Sequence, residues 1–184
     1  MERELIQQLQ QKDGQAFKRL VENYKNKIYN TAFNLLHNEA DANDCTQEVF
    51  IQVYESIHSF KQQSSLSTWI YRIAVRKALD KIRKTKTRKR LQQIIPWWMP
   101  GENKSSENNF YHPGVALENK EKATVLFKAI NALPEKQKLA FTLIKVQGIT
   151  YEEACAIMQQ NIKAMESLIS RAKQNLQKQL QKNM

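Results

Sequence analysis

The sequence predicts an all-α protein made of two helical domains joined by a linker. Apolar residues recur at steps of three and four through most of the 184 residues, which is the period of helices with one buried face. The chain has only four glycines and four prolines, which argues against a β-rich fold. Three of those prolines and two of those glycines fall in residues 91–118, where no period is sustained. We therefore interpret 91–118 as a flexible linker between domains of residues 1–90 and 119–184.

Helical periodicity and capping residues define the elements of the first domain. Asp13-Gly14 ends the first amphipathic stretch, and Asn38 stands where an N-cap belongs, with Glu39 and Asp41 in the first turn that follows it. His37 lies at a helix end, which favours a capping or surface role for it. The predicted helices of this domain cover residues 2–12, 16–24, 28–36, 39–57 and 64–90.

One side of the predicted helix 39–57 is acidic. Steps of three and four bring four side chains together there, namely Asp41, Asp44, Gln47 and Glu48. Such a surface fits a docking face for a basic partner, or plain solvation. Clustered carboxylates also raise the alternative of a metal-dependent nuclease using Asp41, Asp44 and Glu48. Neither a converging histidine nor a glycine-rich phosphate loop accompanies them, so we expect a protein that is not an enzyme.

The helix predicted from residue 64 is strongly basic on its outer face. Residues 72–90 contain ten cations and one acid, Asp80, and so carry most of the formal net charge of +11. A one-sign ridge of this kind suits the phosphate backbone of a nucleic acid, although a solvated helix face is the alternative. The polar loop 61–65 before it is either a connector or a source of hydrogen bonds to base edges. Trp69 falls on the apolar stripe, which favours core packing over base stacking.

The second domain contains a predicted helix-turn-helix. Pro134 can open one helix, Gly148 can end it, and Thr150 with Glu153 forms a capping box at the start of the next. A turn at 159–161 leads into a last helix. In a helix-turn-helix motif, this second helix is the one that enters the DNA major groove. Residues 119–184 carry eleven cations and five acids, which agrees with DNA binding.

Several classes of protein are excluded by composition. No window approaches the ~20 apolar residues of a membrane span, and the N-terminal MERELIQQLQ lacks the apolar core of a signal peptide, so we expect a cytoplasmic protein. Cys45 and Cys155 lie far apart without a neighbouring histidine. We interpret them as small buried residues and expect no disulfide, no metal and no cofactor.

Two groups of motifs, in this order and spacing, resemble the bacterial RNA polymerase sigma factors of the small, two-domain extracytoplasmic-function (ECF) group. The first group is DANDCTQEVF at 41–50, STWIYRIA at 67–74 and ALDKIRK at 78–84. The second is LPEKQ at 133–137, GITYEE at 148–153 and SLISRA at 167–172. The resemblance covers nearly the whole chain. It implies a transcription initiation factor that works as a subunit of the polymerase, with promoter DNA and an anti-sigma factor as further partners.

The resemblance also implies roles for individual residues. Contact with the polymerase core, through the clamp helices of the largest subunit, would be made by Asp41, Asp44, Gln47 and Glu48, and the beta flap would be a second polymerase contact. Recognition and melting of the −10 element would involve Ser64, Ser65, Ser67, Thr68, Arg72, Arg76, Lys77 and Arg83. The −35 element would be read by Lys163, Glu166, Ser167 and Ser170, while Arg171 and Lys173 would hold phosphates.

The sequence departs from the family pattern at two positions. Arg76 stands where the family often has Asn, and Gln159 stands where its helix-turn-helix usually has Gly. A glutamine there must adopt left-handed backbone geometry, or the turn must differ. A free-standing helix-turn-helix regulator, binding duplex DNA as a dimer without polymerase, is the alternative from another class.

Overall fold

A computed structural model describes residues 2–94 and 120–182, with side chains for 2–88 and 125–181, and every regular element in these ranges is helical. The predicted all-α, two-domain class is therefore confirmed. Trp97 and Trp98, which fall in the predicted linker, lie outside the described residues. The helices are α1 Glu2–Gln10, α2 Gly14–Leu36, α3 Glu39–Ser56, α4 Leu66–Ile94, α5 Lys120–Asn131, α6 Glu135–Phe141, α7 Tyr151–Met158 and α8 Ile162–Lys182.

The first domain is a three-helix bundle of α2, α3 and α4, with α1 packed on α2 and on a 3₁₀ turn at Ile57–Ser59. The two helices predicted over 16–24 and 28–36 are one continuous helix, α2. The reason is that Lys25, Asn26 and Lys27 between them include neither glycine nor proline. Helix α4 runs to Ile94, so its last turn extends into the stretch predicted as linker.

Side-chain caps fix where the helices of this domain begin. Asn38 caps α3 as predicted, its Oδ1 accepting from the backbone N–H of Asp41 at 2.9 Å. Helix α4 is capped from two directions. Ser65 Oγ accepts from Thr68 N–H at 3.1 Å, and Glu2 Oε1, from the far end of the domain, accepts from Leu66 N–H at 3.1 Å. The start of the basic helix is thus held by both local and tertiary contacts.

The second domain contains the predicted helix-turn-helix, formed by α7 and α8. The capping box of Thr150 and Glu153 is present in both directions. Gly148 has φ 68°, as a glycine that ends a helix does. Between α6 and α7 the chain makes a π-helical turn at Thr142–Val146, which the periodicity did not predict. The turn residue Gln159 adopts left-handed geometry with φ 53° and ψ 45°, and Asn161 Oδ1 caps α8 by accepting from Ala164 N–H at 2.8 Å.

Replacing Gln159 by glycine is expected to stabilise the second domain by about 0.5–1 kcal/mol, because a side chain in the left-handed region carries a steric cost that glycine lacks. The matched control is Gln160→Gly in the next position, which is not at positive φ and is expected to bring no gain. Chemical denaturation of the two variants and the parent measures the difference. Equal or lower stability of Gln159→Gly would contradict the prediction.

The two domains also pack against each other. Buried residues of α2 and α4 belong to the same apolar core as residues of α6 and α7, while a smaller core joins α5 to α8. At one edge of this interface the Lys138 ammonium donates to His37 Nε2 at 3.3 Å. His37 is the left-handed C-cap of α2, in agreement with its predicted capping role. Burial, and secondly the charge of Lys138, lower the pKa of His37 to about 4.

Acidification is therefore expected to destabilise the packed chain through His37. In the unfolded chain His37 takes up a proton at about pH 6.5, whereas in the folded chain it does so only at about pH 4. The contribution of neutral His37 to the free energy of unfolding is therefore complete above pH 6.5 and is lost as the pH falls towards 4. Relative to His37→Asn, which tolerates left-handed geometry and does not titrate, the parent should lose about 2–3 kcal/mol between pH 7 and pH 4.5. Denaturant titrations of both proteins at the two pH values test this. Parallel losses would contradict it.

Candidate nucleic-acid and polymerase interface

The four residues of the acidic face lie on one side of α3. Asp41, Asp44 and Gln47 are exposed and Glu48 is partly exposed. Two cations of α4 reach across to them. Lys81 Nζ lies 3.7 Å from both Asp44 Oδ2 and Glu48 Oε1, and Lys77 Nζ lies 4.0 Å from Glu48 Oε2. Since the acid of each pair is at least 45% exposed, the pairs stabilise the fold only slightly. With three acids and two lysines, the face keeps an excess of negative charge.

Two exposed apolar residues of α3 were not predicted from the sequence. Ile51 is 58% exposed and Tyr54 is 40% exposed. Ile51 follows Gln47 by four residues and Glu48 by three, so its side chain adjoins the acidic face. The helical spacing in the sequence already places Ile51 beside Gln47 and Glu48, but an isolated apolar residue on a surface is ordinary. Only the exposure of Ile51 in the folded protein distinguishes it from a core residue. An apolar side chain with polar and charged groups around it has the arrangement of a protein-binding surface, which has an apolar centre and a polar rim.

The cations of α4 divide into two groups on different sides of the helix. Lys77 and Lys81 point towards the acidic face, as their contacts with Glu48 show. The other side borders a cleft of about 350 Å³ between the domains, which is lined in part by Arg72, Arg76 and Arg83, together with Lys136 of α6. Arg83 also pairs with Asp80 at 3.3 Å, one turn away on the same helix. The ridge predicted as one surface is therefore two.

The hydroxyl residues before and at the start of α4 differ in exposure. Ser65 is exposed and Ser64 is half-exposed, whereas Ser67 is half-buried. Thr68 is 4% exposed, and its Oγ1 accepts from Ser65 Oγ at 2.9 Å. Trp69 packs against Phe60 with ring centroids 5.0 Å apart, as expected for a core residue. In this conformation Ser64 and Ser65 are open to a ligand and Thr68 is covered.

The outer face of α8 is open to solvent. Its buried stripe is made of Met165, Ile169, Ala172 and Leu176, as the period predicted. The residues predicted to read or hold DNA are exposed, apart from the half-exposed Ser167, and they are Lys163, Glu166, Ser167, Ser170, Arg171 and Lys173. Towards the C-terminal end of α8, an apolar groove of about 440 Å³ is lined by Leu126, Phe141, Leu176 and Leu180, together with Lys145 and Lys173.

Comparisons with known proteins agree with this geometry. The family model described as Sigma-70 region 2 matches residues 20–88, and that of Sigma-70, region 4 matches residues 124–176. The ECF RNA polymerase sigma-E factor of Haemophilus influenzae is 32% identical, over 96% of this chain and 94% of that protein. The chain belongs to the ECF family of RNA polymerase sigma factors.

Other relatives of this sigma factor match over a similar span. The RNA polymerase sigma-H factor of Pseudomonas aeruginosa is 29% identical over 98% of this chain and 94% of its own. Among solved structures, CnrH in complex with the cytosolic domain of CnrY has a TM-score of 0.72 at 18% identity, covering 100% and 99% of the two chains. The sigma factor RpoE of Bartonella quintana, solved with the anti-sigma factor NepR, has a TM-score of 0.67 at 24% identity, covering 90% and 96%. These two likenesses show the shared fold.

The described part of the sigma factor contains no group of three or more histidine, cysteine or acidic residues placed to hold a metal ion. Of the carboxylates considered for a nuclease, those of Asp44 and Glu48 approach Lys81. Lys81 also donates to the backbone carbonyl oxygen of Asp41 at 3.3 Å. Cys45 and Cys155 are free and buried, as predicted. Over the same described ranges, none of the helices has the length and apolar character needed to cross a bilayer.

Proposed function

We propose that this sigma factor binds RNA polymerase core through the acidic face of α3, and that Ile51 extends this surface. The face is exposed, carries net negative charge and adjoins an apolar side chain, so it suits a partner that is basic with an apolar centre, as the clamp helices of the largest subunit would have to be. The apolar groove beside α8 is proposed as the contact for the beta flap.

Promoter DNA is proposed to bind at two separate places. The −10 element would be recognised and melted at the start of α4, by the hydroxyls of Ser64, Ser65, Ser67 and Thr68, with Arg72, Arg76 and Arg83 on the backbone. An extruded base that is bound in such a pocket repays part of the cost of unstacking. The placement of Lys77 beside Glu48 supports an ion pair there rather than the DNA contact expected from the sequence.

The −35 element would be read by the exposed face of α8. Lys163, Ser167 and Ser170 can hydrogen-bond base edges, and Glu166 can accept from a cytosine amino group. Arg171 and Lys173 would hold phosphates. The proposed division into residues 1–90, 91–118 and 119–184 then corresponds to a core- and −10-binding domain, a linker and a −35-binding domain.

The observation that carries this function is the presence, on one chain, of an exposed acidic face and two separate basic surfaces in the order of Sigma-70 regions 2 and 4. The sigma factor is accordingly proposed to act in the cytoplasm with polymerase and to catalyse no reaction itself. Because relatives have been solved with a bound protein, in one case a named anti-sigma factor, an anti-sigma factor is proposed as a further partner.

The test is transcription by purified bacterial core polymerase with and without the chain, over a library of random promoters. Promoter-specific transcripts that require the chain are expected. The absence of any transcript above that of core alone would refute the proposal. A gel shift with the isolated chain separates the alternative regulator, since tight and specific binding of duplex DNA without polymerase, with a symmetric footprint, would favour that function instead.

A further inference from the structure

Helix α1 contacts the backbone at both ends of the polar loop 61–65, which leads from the 3₁₀ turn into α4. At the C-terminal end of α1, Gln10 Nε2 donates to the carbonyl oxygens of Phe60 at 3.2 Å and Ile57 at 3.4 Å, just before the loop. At the N-terminal end of α1, Glu2 Oε1 accepts from the N–H of Leu66, just after the loop, at 3.1 Å. One helix thus holds the chain on both sides of the loop.

Helix α1 is itself fixed in the bundle. Its inward side chains Ile6 and Leu9 are 4% and 3% exposed and belong to the apolar core. Because a helix rises about 1.5 Å per residue, the backbone positions of Glu2 and Gln10 are held about 12 Å apart. Helix α1 therefore acts as a rigid spacer between the two ends of the loop.

The carboxylate of Glu2 suits the place where it lies. The Leu66 N–H belongs to the first turn of α4, where backbone donors have no acceptor within the helix. The positive end of the α4 dipole lies at the same place, and a carboxylate satisfies both the donor and the dipole. Glu2 is therefore a capping residue for α4 that is supplied by another helix.

The conformation of the loop 61–65 depends on its ends. All five of its side chains are exposed or half-exposed, so their burial does not set the shape of the loop. Gln62 nevertheless has φ 54°, in the left-handed region, which a residue other than glycine rarely occupies unless the surrounding structure imposes it. Burial of Phe60 and Leu66, together with the backbone contacts from α1, supplies that constraint.

We propose that Glu2 and Gln10 are positioning residues for −10 recognition: they hold the loop 61–65 in the shape that receives an extruded base, without touching DNA. The inference rests on the proposed function for the role of the loop. A loop that is already ordered loses less conformational entropy on binding, so affinity for the melted −10 strand depends on α1. The −35 element is read by the other domain, so its recognition does not depend on α1.

Hydrogen exchange in the free chain tests whether α1 holds the loop. Glu2→Leu removes the acceptor of the Leu66 N–H, which should then exchange about tenfold faster than in the parent. Gln10→Leu removes the donor to the Ile57 and Phe60 carbonyl oxygens. In that variant the Phe60 N–H, which donates to the Ile57 carbonyl oxygen at 3.1 Å, should exchange about threefold faster.

The matched controls come from the same helix. Glu4→Leu and Gln7→Leu change exposed residues of the same two types and should leave both exchange rates at the parent values. Glu2→Gln keeps an oxygen acceptor in place and should restore most of the protection. Because neither Glu2 nor Gln10 is buried, their variants should fold, which circular dichroism checks; if one does not fold, the other decides.

Holoenzyme reconstituted with each variant tests the role of α1 in recognition. The probes come from a promoter selected in the transcription experiment, and they are its −10 segment as single strands and its −35 segment as a duplex. Glu2→Leu and Gln10→Leu should weaken binding of the preferred single strand about tenfold and leave binding of the duplex unchanged. Glu2→Gln should remain within about twofold of the parent on both probes.

Unchanged exchange of the Leu66 and Phe60 N–H groups would overturn the proposal. Faster exchange with unchanged affinity for the single strand, or an equal loss of affinity for both probes, would also overturn it. If the transcription experiment selects no promoter, the proposed function has failed, and the exchange rates still decide whether α1 holds the loop.

Discussion

Reversal of two charges on the acidic face, with Asp44→Lys and Glu48→Lys in one chain, is expected to weaken binding to polymerase core by at least about 100-fold. Each reversal removes a favourable charge and opposes a basic partner with a like charge, and close charge pairs across interfaces contribute about 1.5–7 kcal/mol. The loss corresponds to about 2.7 kcal/mol or more, within that range. Affinity is measured with labelled sigma factor titrated with core.

The matched control is Glu22→Lys, an exposed acidic residue on α2, which is expected to leave core binding unchanged. In the double variant the introduced lysines also face Lys77 and Lys81, so some loss of stability is expected. Because the acids of those ion pairs are exposed, that loss should remain near 1 kcal/mol, which leaves the fold intact by circular dichroism. Unaltered affinity for core in a folded double variant would show that the acidic face is not the docking surface.

The second large effect is expected on the side of α4 that borders the cleft. Holoenzyme carrying Arg76→Gln and Arg83→Gln should bind promoter DNA at least about tenfold more weakly, since hydrogen bonds to charged groups contribute about 1.5–3 kcal/mol each. The slope of log affinity against log salt should become shallower by nearly 2, because each lost phosphate contact removes about 0.9. Core binding should be unchanged.

The control for this pair is Lys77→Gln with Lys81→Gln, which removes two charges from the same helix. These lysines contact the acids of α3, so their removal should leave the salt dependence of DNA binding close to that of the parent. An equal change of slope for both pairs would mean that DNA responds to the total charge of α4 rather than to one side of it. It would also restore Lys77 to the −10 surface expected from the sequence.

Local patterns predicted most of the elements correctly. The caps at Asn38 and Thr150 and the buried stripe of α8 follow from side chains within one turn of each other, and the structure contains all of them. The predicted division of α2 is wrong, because the apolar residues keep one helical period through Tyr24 and Ile28. A continuous helix only requires that the intervening residues tolerate it, which Lys25 to Lys27 do.

The candidate surfaces were less predictable. Spacing placed Asp41, Asp44, Gln47 and Glu48 on one side of α3 because that relation is internal to a helix. Spacing alone could not assign the cations of α4 to two separate surfaces, since the surroundings of Lys77 depend on where α3 packs. The exposure of Ile51 and the burial of Thr68 likewise depend on which neighbouring helices cover them.

By itself the sequence determined the all-α class, the helix-turn-helix and the likeness to a sigma factor, because helix period, capping and motif order are written along the chain. The tertiary structure alone decided that Arg72 donates to the Ala156 carbonyl oxygen of α7, and that Lys77 and Lys81 contact the acidic face. The contact of Arg72 joins residues 84 positions apart in the two domains. The contacts of Lys77 and Lys81 join two helices of one bundle. They depend on how complementary surfaces pack in three dimensions, which no local pattern specifies.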